Sequence, residues 1–139
     1  MRLVVVGVGP DGLSKVESTL ELEGDPEGEW SSEEVWAHPA ITRAFSERSR
    51  TGAHRQVGVG SGDLSWRYVR YRAGAWIGMH RTDTVDCGVV IAGSVTLGLE
   101  AEEVVLNAGD HVVIPGQAHA WRAGPDGCAF STVMHGLAP

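Results

Sequence analysis

The chain has 139 residues, 42% of them hydrophobic, and a formal net charge of −7 from 18 acidic against 11 basic side chains. That length is one ordinary domain with room for a real core, which argues against a second folded domain. Its cations, ten Arg and one Lys, form no run; the acidic balance repels phosphate backbones, argues against nucleic acid and anionic membrane as partners, and leaves a small molecule as the expected ligand.

Residues 1–12 open with a basic residue and a short apolar run, but Gly7, Gly9 and Pro10 interrupt it before signal-peptide or membrane-span length. A soluble cytoplasmic protein is expected. Cys87 and Cys128 are too few for a disulfide framework and read as small strand hydrophobes.

Gly7, Gly9 and Gly12 match the dinucleotide-binding spacing G-x-G-x-x-G. That fingerprint works only where its last glycine opens a helix aimed at a pyrophosphate. Here Pro10-Asp11-Gly12 is a ready turn, and the alternation through Val16, Leu20 and Leu22 suits a strand, so a β-hairpin is expected and no nucleotide cofactor.

Residues 24–29 read as a polar loop. Ser31 to Glu34 has the form of a helix start, while Val35 to His38, stopped by Pro39, equally suits a short edge strand. Residues 40–50 suit one or two helical turns, and the glycine-rich stretch 52–62 a connecting loop. His38 and His54 sit in polar context with no ligand-like spacing and read as surface histidines.

From Leu64 the pattern is β. Trp66, Tyr68, Arg70 and Arg72 share one face and Arg67, Val69 and Tyr71 the other, so neither face is plainly apolar. Short strands are expected over 85–91, 94–99, 103–107, 111–114 and 128–135. Glycine and proline turns at Gly93, Gly109, Pro115-Gly116 and Gly124-Pro-Asp-Gly127 separate them. A turn about every ten residues marks an antiparallel sandwich or barrel.

His80 and Asp86 stand just before the strand that closes at Gly93, and His119 follows the strand closed by Pro115-Gly116. Short strands with glycine turns can fold these positions onto one wall. Two imidazoles and a carboxylate that converge suit Fe(II) in a facial triad, or Zn(II), Ni(II) or Mn(II) as a Lewis acid, with open positions for water and substrate. Strand alternation puts Thr82 on the wall of His80 and Trp121 on that of His119, where its ring is a flat surface for an aromatic or conjugated ligand. Arg81 reads as outward, and His111 and His135 as ordinary strand residues.

These residues resemble the two motifs of the cupin family. Gly74, His80, Asp86 and Gly93 hold places of the first motif, with Thr82 where a second His is usual and Asp for Glu. Gly109, Pro115, Gly116 and His119 hold places of the second, with one residue fewer between Pro and Gly and Ala123 where an Asn is usual. The resemblance implies an all-β fold, a single cupin-type antiparallel barrel or jelly roll. Residues 1–63 would pack on it as a hairpin arm, irregular segment and short helix, and 64–139 would form the core. It implies a divalent metal ion held by His80, Asp86 and His119, one histidine short of the usual set, beside a substrate pocket lined by Thr82, Trp121 and an inward Tyr68 or Arg70.

The His80-Arg-Thr-Asp-Thr-Val-Asp86 run and His119-Ala-Trp121 look like those of small stand-alone cupins, some tied to secondary metabolism. The resemblance therefore implies a lyase-type step on a small organic or polyketide-like acid, a dehydration or decarboxylation through a metal-stabilised enolate. An Fe(II) dioxygenase is the alternative, and a non-catalytic small-molecule-binding barrel another. A homodimer sharing N-terminal strands is expected, because unpaired sheet edges invite a second copy.

Overall fold

The computed structural model describes residues 2–21 and 59–138, and those residues form eight strands. In chain order they are β1 (Arg2–Val8), β2 (Ser14–Glu21), β3 (Leu64–Tyr71), β4 (Trp76–His80), β5 (Thr84–Gly98), β6 (Glu103–Asn107), β7 (His111–Pro115) and β8 (His119–Gly136). The helical turns expected over 40–50, the element expected over 31–39, His38 and His54 lie outside the described residues.

The strands hydrogen-bond in the order β2-β1-β7-β5-β8-β3, while β4 adds to β8 and β6 to β5. Two long strands make this arrangement. The first part of β5, 84–90, pairs with β7 and the last part of β8, and its second part, 94–98, pairs with β6 and the first part of β8. β5 and β8 therefore run through both walls of a two-sheet barrel, all of it β as expected.

At the corner the structure differs from the sequence reading. Gly93 (φ 72°) does not close a hairpin; register shifts at Val90/Ala92 and Gly93/Val95 make it part of a bulge inside β5. Residues 124–127, which read as a turn, lie between Ala123 opposite Val95 and Cys128 opposite Gly93, the matching bulge in β8. Extra residues kink a strand and increase its twist, which is how one strand leaves one wall and enters the other.

The N-terminal hairpin forms as expected: β1 and β2 pair antiparallel across a turn with Gly12 at φ 80°, and the Gly9 amide donates to the Leu13 carbonyl at 2.9 Å. Its role differs. β1 is not an arm laid on the barrel but a strand within it, parallel to β7 with Val4 opposite Val112, and Val4 and Val6 are completely buried in the main core. The cause is in the run Leu3-Val-Val-Val6: apolar residues on both faces suit an inner strand covered on both sides rather than a half-exposed arm.

Inside the barrel Val4, Val6, Leu97, Leu106, Ile114 and Phe130 are among the buried residues of one continuous core. The outer face of the larger sheet carries a smaller apolar cluster, Leu3, Val85 and Val113. Beside it Trp66, Val89 and Val133 help line an open, mainly apolar groove of about 290 Å³. Cys128 is buried in the main core, Cys87 is half-buried beside the smaller cluster, and both thiols are free. No helix of the described residues is long and apolar enough to cross a membrane.

Tyr71 closes the core on the β3 side, its ring 5.5 Å from that of Phe130. Burial, helped by the nearby Cys128 thiol, pushes its phenol up to about 12. The folded value lies above the unfolded one, so the stabilisation is present below about pH 10 and is lost as pH rises through about 12. Denaturant unfolding from pH 9 to 12 is expected to show an alkaline loss of stability that Tyr71→Phe reduces; identical curves would exclude the phenol as its source.

Candidate functional site

One end of the barrel gathers the last residue of β4, the first residues of β5 and β8, and the tight turn after β7. The β4–β8 register sets His80 directly opposite His119, and the two imidazole centroids are 4.4 Å apart at an interplanar angle of 57°. Both rings are held alike. Nδ1 of His80 is 2.8 Å from the Gly78 carbonyl, and Nδ1 of His119 is 2.8 Å from the Gln117 carbonyl.

A carbonyl can only accept, so each Nδ1 carries the proton, and in the neutral ring each Nε2 keeps its lone pair. A backbone acceptor that fixes the tautomer and ring orientation is the usual support for a metal-binding histidine. His119 is only 2% exposed. Burial pulls its pKa below the ordinary histidine value, outweighing the opposing hydrogen bond to Gln117, and the charge of His80 adds to the lowering. It is therefore a neutral donor near pH 7.

Asp86 reaches the same wall by alternation along β5, between Ile114 on one side and Met134 on the other. The buried Thr84 hydroxyl donates to its Oδ1 at 2.5 Å and lies 2.8 Å from the Thr82 hydroxyl. With one proton to give, Thr84 accepts from Thr82, so Thr82, standing where a second ligand was sought, ends a hydroxyl relay onto the carboxylate. Burial raises the Asp86 pKa, against opposing effects of the Thr84 hydrogen bond and the charges of Arg67 and His80.

The structure thus brings His80 and His119 together and sets Asp86 within electrostatic reach of His80. Among the described residues no group of three or more His, Cys, Asp or Glu side chains is arranged to hold a metal ion. The donor chemistry fits a divalent ion as a two-nitrogen site, and Asp86 is bonded to Thr84 instead of closing a triad.

The expected pocket wall on β3 is reversed. Trp66 and Tyr68 are 76% and 62% exposed, and Arg70 is exposed with them. The β3–β8 register explains why: Arg67, Val69 and Tyr71 lie opposite Thr132, Phe130 and Cys128, the inward residues of β8, whereas Trp66 and Tyr68 lie opposite Val133 and Ser131. The indole nitrogen of Trp66 donates to Ser131 Oγ at 2.6 Å on the outer face. Arg67 is therefore the inward cation, and sequence reasoning left it aside. The signal was available, because the inward triplet Phe130, Thr132 and Met134 is legible in β8 and only the register was needed to project it onto β3.

Trp121 shares the wall of His119, edge-on to that ring at 5.7 Å, but its own ring lies 5.5 Å from Phe130 and is only 7% exposed. Its flat surface serves the core rather than standing open to a ligand. Arg81 is exposed and donates from Nε to the Gly116 carbonyl at 3.2 Å, tying the loop after β4 to the turn before His119. His111 and His135 are half-buried strand residues away from the pair. Gln117, whose carbonyl orients His119, keeps its own amide oxygen buried without a hydrogen-bond partner among the described residues.

No protein-family model matches the chain. Among curated proteins it is 40% identical over 70 residues to Oryzines biosynthesis cluster protein J of Aspergillus oryzae, covering 50% of this chain and 38% of that one. It is 42% identical over 57 residues to Phomopsin biosynthesis cluster protein C' of Diaporthe leptostromiformis, covering 40% and 30%. The chain thus spans about a third of the length of the curated relatives it matches.

Among solved structures, a protein of unknown function from Rhizobium leguminosarum superposes with TM-score 0.50 at 22% identity, covering 54% of this chain and 72% of that one. The conserved SPY1581 protein of unknown function from Streptococcus pyogenes does so with TM-score 0.50 at 16% identity, covering 62% and 70%. A Cupin_2 domain of an XRE family transcriptional regulator from Enterobacter cloacae gives TM-score 0.46 at 21% identity over 55% and 82%. At these identities the likeness is one of fold. The all-strand fold is of the cupin jelly-roll type.

Proposed function

We propose that this cupin-fold chain is a metal-dependent enzyme acting on a small organic acid in a biosynthetic sequence of the kind for which its curated relatives are named. The observation that carries the reading is the histidine pair: two Nε2 lone pairs on facing strands, each fixed by a carbonyl on Nδ1. His80 and His119 would hold the ion, with the Asp86 carboxylate as third donor. Bound there, a divalent ion supplies a Lewis acid that polarises a carbonyl oxygen. The protein's own part is orientation and proton handling: Thr84 fixes Asp86, and burial gives that carboxyl a higher affinity for a proton than an exposed aspartate has. Lyase-type chemistry is the reaction class this supports best.

A second reading, a non-catalytic small-molecule-binding barrel, is favoured by one observation: the described residues assemble two nitrogen donors and leave Asp86 with Thr84. The two readings part on metal and turnover. Protein purified without chelator is expected to carry iron, zinc, nickel or manganese near one ion per chain. It should also consume a panel of enolisable acids under anaerobic conditions. Turnover that requires oxygen would favour the dioxygenase, and metal-free protein without turnover the binding barrel.

The hydroxyl relay gives a more local expectation. Thr84→Val keeps the shape and removes the donor to Asp86, and is expected to weaken metal affinity roughly 10- to 100-fold. Competition against a chromogenic chelator measures this, and an unchanged affinity would remove Asp86 from the ligand set.

A further inference from the structure

The larger sheet ends differently on its two sides. At one end β2 begins with backbone groups already engaged by the turn between β5 and β6. The Ser14 amide donates to the Glu100 carboxylate at 2.8 Å, the Val16 amide to that of Glu102 at 2.9 Å, and the Ala101 amide to the Ser14 carbonyl at 3.3 Å. Charged side chains set along a strand close that edge to a second chain. At the other end stands β3, which among the described residues pairs with β8 alone. Its register with β8 is unbroken from Leu64 to Tyr71, so alternate amides and carbonyls along that length point away from the sheet, with no strand among the described residues to receive them.

The outer face of this edge is apolar and aromatic. Leu64, Trp66 and Tyr68 alternate along it, each more than half exposed, and the hydrogen bond from the Trp66 indole to Ser131 Oγ at 2.6 Å holds that ring in place. Single exposed apolar residues are ordinary, but a row of them along an open edge is a contact surface.

The arginines of β3 choose the register in which a second copy fits. An antiparallel pair about a two-fold axis sets one residue opposite itself. An axis at Arg67 or at Arg70 sets a guanidinium against its own copy, which is unfavourable, and an axis at Val69 shortens the paired stretch to 67–71. An axis at Tyr68 pairs 65–71 and sets no arginine opposite another: Tyr68 meets Tyr68, Arg67 meets Val69, and Trp66 meets Arg70 on both sides of the axis, a cation–π pair made twice.

We infer that β3 is the homodimer edge of this protein: two copies pair it antiparallel about a two-fold axis at Tyr68, and the sheet of one barrel continues into the other. The contact is isologous, so it uses up both open edges and closes. None of the paired residues belongs to the histidine pair, and the inference stands with or without a metal there.

Sedimentation velocity of the full chain is expected to show a monomer passing to a dimer between about 1 and 100 µM, as suits a contact of modest area. Tyr68→Lys changes an exposed side chain and sets two ammonium groups face to face, and is expected to weaken the dimer about tenfold or more. Tyr68→Cys is expected to cross-link two chains under mild oxidation, because residues directly opposite in an antiparallel pair have Cα atoms about 4.5–5.5 Å apart, within disulfide reach. Arg70→Cys, whose opposite is Trp66, and the wild type, with Cys87 and Cys128 free, are expected not to.

A chain that stays monomeric at every concentration overturns the inference and leaves the edge to be covered from within the chain or by a different protein. So does a dimer that a folded Tyr68→Lys variant leaves unweakened. Cross-linking of Arg70→Cys as fast as Tyr68→Cys places the contact elsewhere and overturns it too, and this comparison decides even where Tyr68→Lys fails to fold.

Discussion

If the histidine pair holds a metal ion as proposed, His119→Ala is expected to lower its affinity by more than about 100-fold, beyond the loss typical of outer-shell changes alone. Without His119 the proposed site keeps one imidazole, the Nε2 of His80, and the Asp86 carboxylate, too few donors to retain a divalent ion through purification. Because His119 is 2% exposed and packs edge-on to Trp121, the alanine variant also leaves a void and is expected to lose roughly 2–4 kcal/mol of stability. His119→Gln, closer in volume, separates the two effects: metal should be lost while most of the stability returns. His80→Ala is expected to lose metal to the same degree at a smaller stability cost, since that ring is only half-buried. Metal analysis with thermal melts on the three variants decides the matter, and full metal content in His119→Ala would refute the ligand assignment.

The largest stability effect is expected away from the site, at the corner of β5. Gly93 has φ 72°, and a side chain built there would collide with the Gly127 carbonyl of the matching bulge in β8. Gly93→Ala therefore meets two costs, the left-handed backbone and a backbone atom that cannot step aside, and is expected to lose about 3 kcal/mol or more. For a chain of this size the melting temperature should fall roughly 10 °C. Gly109→Ala is the control. Its φ is 91°, yet nothing lies within 4 Å of the added carbon, so only the backbone term remains, about 1 kcal/mol. Equal losses at the two positions would show that the close approach at the corner contributes nothing.

That comparison also marks where the sequence could be read and where it could not. Gly93 and residues 124–127 carry turn chemistry, and turn chemistry is all a local reading detects. A positive-φ glycine serves a hairpin and a bulge equally, and only the partner strand decides which. The facing of β3 failed for a related reason: Trp66, Tyr68 and Arg70 look no more or less inward than Arg67, Val69 and Tyr71 until Thr132 and Phe130 are set opposite the second group. What was legible depended on spacing along a single element. The hairpin at Gly9 to Gly12 was, and so were the wall positions of His80 and His119. Asp86, read as a third ligand beside the two histidines, lies in register with Ile114 and Met134, and its engagement by Thr84, two residues away on the same strand face, was not foreseen.

The pairing of β1 with β7 has a consequence for biosynthesis of the chain itself. Val4 finds its parallel partner at Val112, 108 positions later, and ribosomes add about 5–20 residues per second. For roughly 5–20 seconds the Leu3 to Val6 run can pair with β2 but lacks its β7 partner, and a two-stranded ribbon by itself is marginal in water. Nascent or prematurely terminated chains that stop short of Val112 therefore display an adhesive apolar edge. They, rather than the finished barrel, are where clumping in the expressing cell should begin.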